Sequence, residues 1–515
     1  MKIRNEEFEK AVYSSCKTSD RIFVLNPSYR RANFYSQQLR TLSLIRQIFE
    51  RGKLVPGKPG HTEFTIVGGG ISGLTAAAAA LTGGVNVTLI EKNDYLSSYT
   101  EAVHRELHPN LAAWPFQPLR AITDLPFLNW ACSPAPKVVT QILRQWTEFF
   151  EPHVNPLRDT VTDLNEDGNS VEVLCENGTK LLCDIVFVAT GFDREENCGK
   201  DQSPSYWRPQ SYEPPDAVSI SGSGDGGLID AAYQHFGLKT VAASRFLAYL
   251  LDNKPHKSQI FAAENEALGL LNDASNVNAE LSAHERLGEF YNKLTIASED
   301  LKALETYKRS KPIPAQHFFE KPTAFSPTTS PINKALFSVL IRPPSAPITS
   351  QQGNLKATDR EPFKIVAECN DGDLELDSSR VIVRHGVSHA AWTLLGNDHK
   401  TTLESSDARH LTKIVPDEYD PIFFVEEPER KVAPSTTYNP HHFFDCASQQ
   451  LSDLLETITD GQSYNVSVER KRGEHWKVRP RNVLKRDITI YFPIQIESHI
   501  IEVSDEVESD FNIVE

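Results

Sequence analysis

Gly68, Gly70 and Gly73 stand in the spacing G-x-G-x-x-G, and Glu91 follows 18 residues after the last of them. Residues of these types at this distance can hold a dinucleotide. The first glycine permits a tight turn, the second carries no side chain to obstruct a pyrophosphate, and the third lets a helix pack close to a strand. The N–H groups at the start of that helix face the phosphates, and the acid accepts hydrogen bonds from a ribose diol. A second run places Gly222, Gly224 and Gly227 in the same spacing, with Asp225 inside it. Arg105, His108 and His385 are the candidates for proton transfer or for contact with an anion, which makes them the candidate catalytic residues.

The first turn needs a strand before it, a helix after it and a strand beneath the acid. Phe64–Val67 is a short apolar run of the kind found in a buried parallel strand. Leu74–Leu81 is alanine-rich and reads as helix, and Val85–Ile90 reads as the next strand. Upstream, Ser36–Arg51 has a helical apolar face with Gly52 as its stop. Downstream, an irregular stretch runs from Asn93 to Pro136 and includes Arg105, His108, Trp114 and Trp130. Loops of that length inside a domain are usually functional or disordered, and this composition is not that of disorder. Val138–Phe150 is amphipathic at helical spacing. Ser170–Cys175, the turn at Asn177-Gly178 and Lys180–Asp184 form a meander, and Ile185–Val188 is a buried strand ending in Ala189-Thr190-Gly191.

In this order the pieces resemble the FAD-binding unit of the FAD/NAD(P)-dependent oxidoreductase superfamily. The stretch after Glu91 and the run Gly224-Asp225-Gly226-Gly227 look like those of a group of bacterial FAD/NAD(P)-binding proteins. The resemblance implies FAD as cofactor. It would be held by Gly68, Gly69, Gly70, Ile71, Ser72 and Gly73, by Glu91 with Lys92, and by Thr190-Gly191 as the neighbouring wall. The acid after the second strand suits an unphosphorylated ribose. The resemblance also implies that the loop containing Arg105 and His108 runs over the isoalloxazine.

The second glycine run has two readings. In one it resembles the superfamily's NAD(P)-binding unit, with Leu238–Ala243 as the second strand and Ser244-Arg245 meeting a 2′-phosphate. In the other, Gly224-Asp225 is the late G-D motif whose acid bonds the flavin's ribityl chain. A parallel layout favours the first: Phe363–Ala367, the turn Asp371-Gly372 and Val381–Val383, ending in Arg384-His385-Gly386, repeat the plan of residues 170–191. His385 and His389 stand four apart and could share a helix face, too few ligands for a metal, and none is expected. Between the glycine run and this repeat, Lys254–Arg309 reads as a helical insertion, with Ser282–Glu285 as a capping box, and residues 311–350 as a Pro/Ser/Thr-rich stretch around a helical piece at Asn333–Ile341; the insertion reads as a lid or substrate cap.

The net charge of −16 and pI near 5.5 argue against nucleic acid as the partner of the whole chain. Seven cysteines without a C-x-x-C pair imply reduced thiols in a cytoplasmic setting and no local dithiol relay. No apolar run approaches the roughly 18 residues of a membrane span, and residues 1–10 do not read as a signal peptide. Residues 397–515 look like a separate module in which Arg470–Arg486 holds eight Lys or Arg and one acid, a surface for a partner or for self-association.

The expected fold class is α/β. Residues 1–60 form an N-terminal helical segment. Residues 61–217 form a Rossmann-like FAD-binding domain with a β-meander. Residues 218–396 form a second, related nucleotide-type unit with a helical insertion at 254–350, and residues 397–515 a C-terminal α+β module. The expected activity is that of an FAD-dependent oxidoreductase, reduced by NAD(P)H and acting on a small molecule. The alternative is an FAD-bound redox sensor whose C-terminal module contacts a partner.

Overall fold

The computed structural model describes residues 6–25, 33–55, 63–93, 96, 105–123, 125–195, 217–252, 254–272, 278–342, 348–357, 365–376, 381–385, 387–389 and 391–395. Beyond these it describes the backbone of five strands between residues 466 and 514. The charge assigned to the C-terminal ribbon, Arg470–Arg486, therefore falls outside the described side chains.

The first sheet is parallel throughout. Its order is β1 (Ile22–Val24), β10 (Ile185–Val188), β2 (Glu63–Val67), β3 (Asn86–Glu91), β6 (Asn155–Arg158). Both faces of β1, β10 and β2 are buried, which is why these strands read as apolar runs rather than alternating ones, whereas the edge strand β6 is largely exposed. Phe64, Ile66, Leu89 and Phe187 face a helical layer of α1 (Glu6–Cys16), α2 (Phe34–Glu50), α3 (Ile71–Thr82) and α4 (Ala135–Phe149). Val67, Ile90, Val186 and Val188 face a meander of β7 (Val161–Asp167), β8 (Ser170–Cys175) and β9 (Lys180–Cys183). The N-terminal segment is thus integral to this unit. It supplies an edge strand and two packed helices, and Asn33 and Ser36 close a reciprocal capping box on α2.

The second sheet repeats this plan. Its order is β16 (Gly372–Leu376), β15 (Ile365–Cys369), β14 (Ile348–Ala357), β13 (Ala315–Phe319), β12 (Val218–Ser221), β17 (Val381–Val383). β14, β13, β12 and β17 are parallel, and β14 continues into the antiparallel ribbon with β15 and β16. Ile220, Ala315, Ile348 and Ile382 face helices; Phe318, Val381 and Val383 face the ribbon. The layout anticipated for residues 363–386 is present in its described strands, built around α5 (Asp225–Phe236), while Phe363 and the closing Gly386 lie outside the described residues.

Three expectations are corrected here. Leu238–Ala243 is not a strand: it lies in a 3-10 turn at Gly237–Lys239 and the start of α6 (Thr240–Asp252). The strand that follows α5 in the sheet is β13, reached only after α6, α7 (Pro255–Asn272), α8 (Ala279–Lys293) and α9 (Ser298–Leu304). Ser282 does not cap a helix. It lies inside α8, whose N-cap is Asn278. The insertion read as a lid or substrate cap is in part built into the sheet, since residues 311–350 contain β13 and the crossover helix α10 (Pro331–Leu340).

The chain leaves each unit at a corresponding point. β11 (Phe192–Glu195) follows β10, β18 (Val387–His389) follows β17, and the two exits pair antiparallel. His389 therefore lies on a strand, not on a helix face shared with His385. Among the described residues, no helix is long and apolar enough to cross a membrane.

Candidate functional site

The first glycine turn is dictated by backbone contacts. Gly68 has φ +108°, and its N–H donates to the Ile90 carbonyl at 2.8 Å. A Cβ on Gly68 would lie 2.5 Å from the Ala189 carbonyl oxygen, and one on Gly73 would lie 1.8 Å from the Gly68 carbonyl oxygen. Only glycine fits at either place. Gly70 differs. It is the extended N-cap of α3, has no side chain to cap the helix, and a Cβ there would meet nothing within 4 Å. Open space thus lies in front of N–H groups that have no intrahelical partner, at the positive end of the helix dipole.

Glu91 closes this turn from the second strand. Its Oε2 accepts from the Gly69 N–H at 2.6 Å, and its Oε1 accepts from the Asn93 backbone N–H and Nδ2 at 2.8 and 2.6 Å. A carboxylate has room for further donors, as ribose recognition requires. Lys92 is exposed beside it, and Ile71 and Ser72 are half-buried at the start of α3. Across the turn, the buried Thr190 Oγ1 has no hydrogen-bond partner, and Gly191 adopts φ +69°. A buried hydroxyl with no partner next to an open cradle fits an absent polar group. The residues present suit a dinucleotide.

The second turn reproduces the backbone contacts of the first. Gly222 has φ +131°, and its N–H donates to the Phe318 carbonyl at 3.0 Å. A Cβ on Gly222 would lie 2.2 Å from the Arg384 carbonyl oxygen, one on Gly227 would lie 2.0 Å from the Gly222 carbonyl oxygen, and one on Gly224 would meet nothing. Arg384 therefore occupies the place of Ala189, and His385 that of Thr190. His385 is exposed, with Nε2 2.7 Å from Ser221 Oγ. Asp225 opens α5, and its Oδ1 accepts from the Ser330 N–H at 2.9 Å and from Asn333 Nδ2 at 2.7 Å, so it docks the N-terminus of α10 onto the turn. Thr329 Oγ1 donates to the Ser223 carbonyl at 2.8 Å. Ser330 is wholly buried, and its hydroxyl has no partner.

Sequence reasoning missed His317, which steadies this turn from below. It is fully buried on β13. Nε2 donates to the Gly222 carbonyl at 2.9 Å, which leaves Nδ1 to accept from Ser350 Oγ at 3.1 Å. Burial pushes its pKa down to about 4, against the opposing pull of the Gly222 carbonyl. The short Ala315–Phe319 run, bracketed by prolines at 314 and 322, was the available signal.

The other candidates are placed differently from expectation. Arg105 Nη2 lies 2.5 Å from Asp230 Oδ1 on α5, and Arg384 Nε donates to the other oxygen of the same carboxylate at 2.7 Å. His108 Nδ1 accepts from the Asn110 and Leu111 N–H groups at 3.3 and 3.1 Å and caps the 3-10 turn Leu111–Ala113. Burial, helped by the charge of Arg245, holds its pKa down to about 3. Ser244 is buried on α6, where its hydroxyl donates to the Thr240 carbonyl. Arg245 contacts Glu106 at 3.3 Å and Cys132 Sγ at 3.5 Å. Neither lies at a strand tip. Among the described residues, no group of three or more His, Cys, Asp or Glu could hold a metal ion.

Residues 66–124 match a family model described as an NAD(P)-binding Rossmann-like domain. The match begins on β2 and runs through the glycine turn and Glu91 into the long loop beyond it. No curated protein matches the sequence. Among solved structures, a bacillithiol disulfide reductase from Staphylococcus aureus is 12% identical, covers 64% of this chain and 78% of its own, and has a TM-score of 0.38. Lactococcus lactis thioredoxin reductase is 10% identical over 64% of this chain and 79% of its own, with a TM-score of 0.36. A flavin-containing monooxygenase from Stenotrophomonas maltophilia is 13% identical over 65% of this chain and 81% of its own, with a TM-score of 0.35. Scores of this size carry no argument about activity, so the assignment rests on the Rossmann-like domain and its geometry.

Proposed function

We propose that the chain is an FAD-dependent oxidoreductase whose first turn holds the ADP half of FAD and whose second turn holds a reducing nicotinamide dinucleotide. The observation that carries this is the duplication of the glycine turn, down to the open positions at Gly70 and Gly224 and the closing bonds from Gly68 and Gly222. Two such turns lie in one chain, with exits paired as β11 and β18, and would provide two dinucleotide cradles. Bound FAD would supply the two-electron chemistry.

The protein's part is placement. The N-terminal N–H groups of α3 and α5 attract pyrophosphates. Glu91 takes the ribose hydroxyls of the first dinucleotide, and Thr190 offers its hydroxyl beside the same cradle. At the second turn, His385 bonds Ser221 and can hold a proton at its Nε2. The substrate is a small molecule, and the setting is cytoplasmic.

The test is an absorption spectrum of the purified chain followed by anaerobic NADH and NADPH. A flavin spectrum bleached by either nucleotide supports the reductase reading. A flavin spectrum that neither bleaches points to the sensor reading. That alternative draws on the commitment of Arg105 and His108 to protein contacts. A colourless protein that cannot be reconstituted with FAD sinks both.

A further inference from the structure

We infer that Arg105 is a positioning residue that locks the two units in a single relative orientation. The stretch from Arg105 to Pro134 belongs to the first unit by sequence, since it leaves β3 and returns to α4. Its two ends are tied together there, because β4 (Glu106–Leu107) pairs with β5 (Ser133–Pro134) and the Ala135 N–H donates to the Arg105 carbonyl at 2.7 Å. Its second half is anchored in the first core through Leu125, Phe127, Leu128 and Trp130, whose indole N–H donates to Gln38 on α2 at 2.8 Å. Its first half enters the other unit. Leu111 and Trp114 are buried in the second core, and the Trp114 indole N–H donates to Asp252 at the end of α6 at 3.1 Å.

Leu111 and Trp114 are joined by Phe116, whose ring lies 5.2 Å from that of Phe261 on α7, and by Ala391 and Leu395, buried against the first unit's meander. The paired exits β11 and β18 share only the register Phe192↔His389 and Glu195↔Val387, a narrow ribbon. These contacts are apolar or narrow, and units joined in this way move relative to one another unless directed contacts fix the angle. Arg105 supplies such a contact. Its guanidinium reaches Asp230 on α5, a different helix from the one that holds Trp114. Asp230 is fully buried and grips Arg384 with its other oxygen. Arg384 in turn lies against the second glycine turn: a Cβ on Gly226 would sit 3.3 Å from Arg384 Cδ. The pin therefore runs from the loop after the first turn's acid to the floor of the second turn. The Glu106–Arg245 contact nearby is half-exposed and weak by comparison.

Arg105 can be removed without leaving a bare buried charge, because Asp230 keeps Arg384. The inference holds whether or not either turn binds a nucleotide. It is tested on the full chain with p-acetylphenylalanine at Leu182 on β9 and Leu281 on α8, both exposed, each carrying a ketoxime nitroxide so that the native cysteines stay untouched. Pulsed electron–electron distance measurements should give one narrow distribution for the parent protein. Arg105→Gln should at least double its width or split it, Arg105→Lys should restore it, and Glu106→Gln should leave it unchanged. If Arg105→Gln does not fold, Asp230→Asn, which weakens both contacts at constant shape, decides the matter in the same way. A broad distribution in the parent, or a width unchanged in the variant that folds, overturns the inference.

Discussion

Gly70 and Gly73 sit three residues apart in one turn, yet replacing each by alanine should do opposite things. A methyl on Gly73 would lie 1.8 Å from the Gly68 carbonyl oxygen, whereas such contacts do not fall below 3.0 Å. The start of α3 must therefore retreat from β2 by more than an ångström. The clash is backbone against backbone, so no side chain can rotate away. Overpacking of this kind costs about 3 kcal/mol, at the upper end of its usual range. In a unit of this size that lowers the melting temperature by about 6–12 °C. Gly70→Ala meets nothing within 4 Å and sits at φ −77°, which suits alanine. Its cost is that of a poorer N-cap, below about 1 kcal/mol. The added methyl stands where a pyrophosphate must approach, so dinucleotide affinity should fall at least about tenfold, or 1.4 kcal/mol. Thermal melts of the cofactor-free protein and equilibrium binding of FAD separate the two effects. A Gly70→Ala variant that binds FAD as tightly as the parent would refute the assignment of the cradle. A Gly73→Ala variant that melts with the parent would refute the packing argument. The same split is expected between Gly224 and Gly227.

Acid should weaken the second unit through His317. Its folded pKa is depressed to about 4, so the histidine is neutral when folded and protonates only on unfolding; its contribution is complete above the unfolded pKa of about 6.5 and is lost as pH falls toward 4, at up to about 1.4 kcal/mol per pH unit. Denaturant titrations at pH 7 and 5 should show about 2 kcal/mol of this loss, and His317→Gln should remove it; an unchanged pH dependence in the variant refutes the account. At the tip of β13, Phe319 takes the place of Glu91 and the exposed acid Glu320 follows, so the second turn should favour NADH over NADPH. Calorimetric binding should show Glu320→Arg eroding that preference at least tenfold and Arg245→Ala leaving it alone; the reverse pattern would restore the 2′-phosphate role expected from sequence. In the insertion, buried Lys334 bonds Glu264 at 2.7 Å, and Glu264 also accepts from the Tyr291 hydroxyl at 2.6 Å. Lys334→Met should cost about 3–5 kcal/mol by stranding the carboxylate, and adding Glu264→Leu should recover much of it; an additive double variant argues against that coupling.

The two units were not equally legible in the sequence, although their turns are nearly identical. In the first, the chain passes from α3 straight to β3, so the distance from Gly73 to Glu91 is set by one helix and one short link. Counting residues then locates the acid, and the structure puts its carboxylate 2.6 Å from the Gly69 N–H. In the second, the same count from Gly227 lands on Ser244-Arg245, in the middle of α6, because four helices intervene before β13. The counting rule rests on a helix feeding directly into a strand, and an insertion breaks it without altering the glycines. What survived the insertion was the closing strand: Val381–Val383 pairs with β12 as Ile185–Val188 pairs with β2, and its apolar run ending at a glycine was readable. Arg105 illustrates a different limit. Its type and its loop suggested chemistry, but its partner Asp230 lies 125 residues away inside a helix whose other buried side chains are mostly small or apolar. A charged residue that pairs across two units leaves no periodic trace in either. The buried aspartate on α5 was the only local sign, and it acquires meaning only when β17 delivers Arg384 to its far side. Sequence patterns therefore recover what each unit does alone, while the contacts that hold the two turns at one separation become visible only once both sheets are in place.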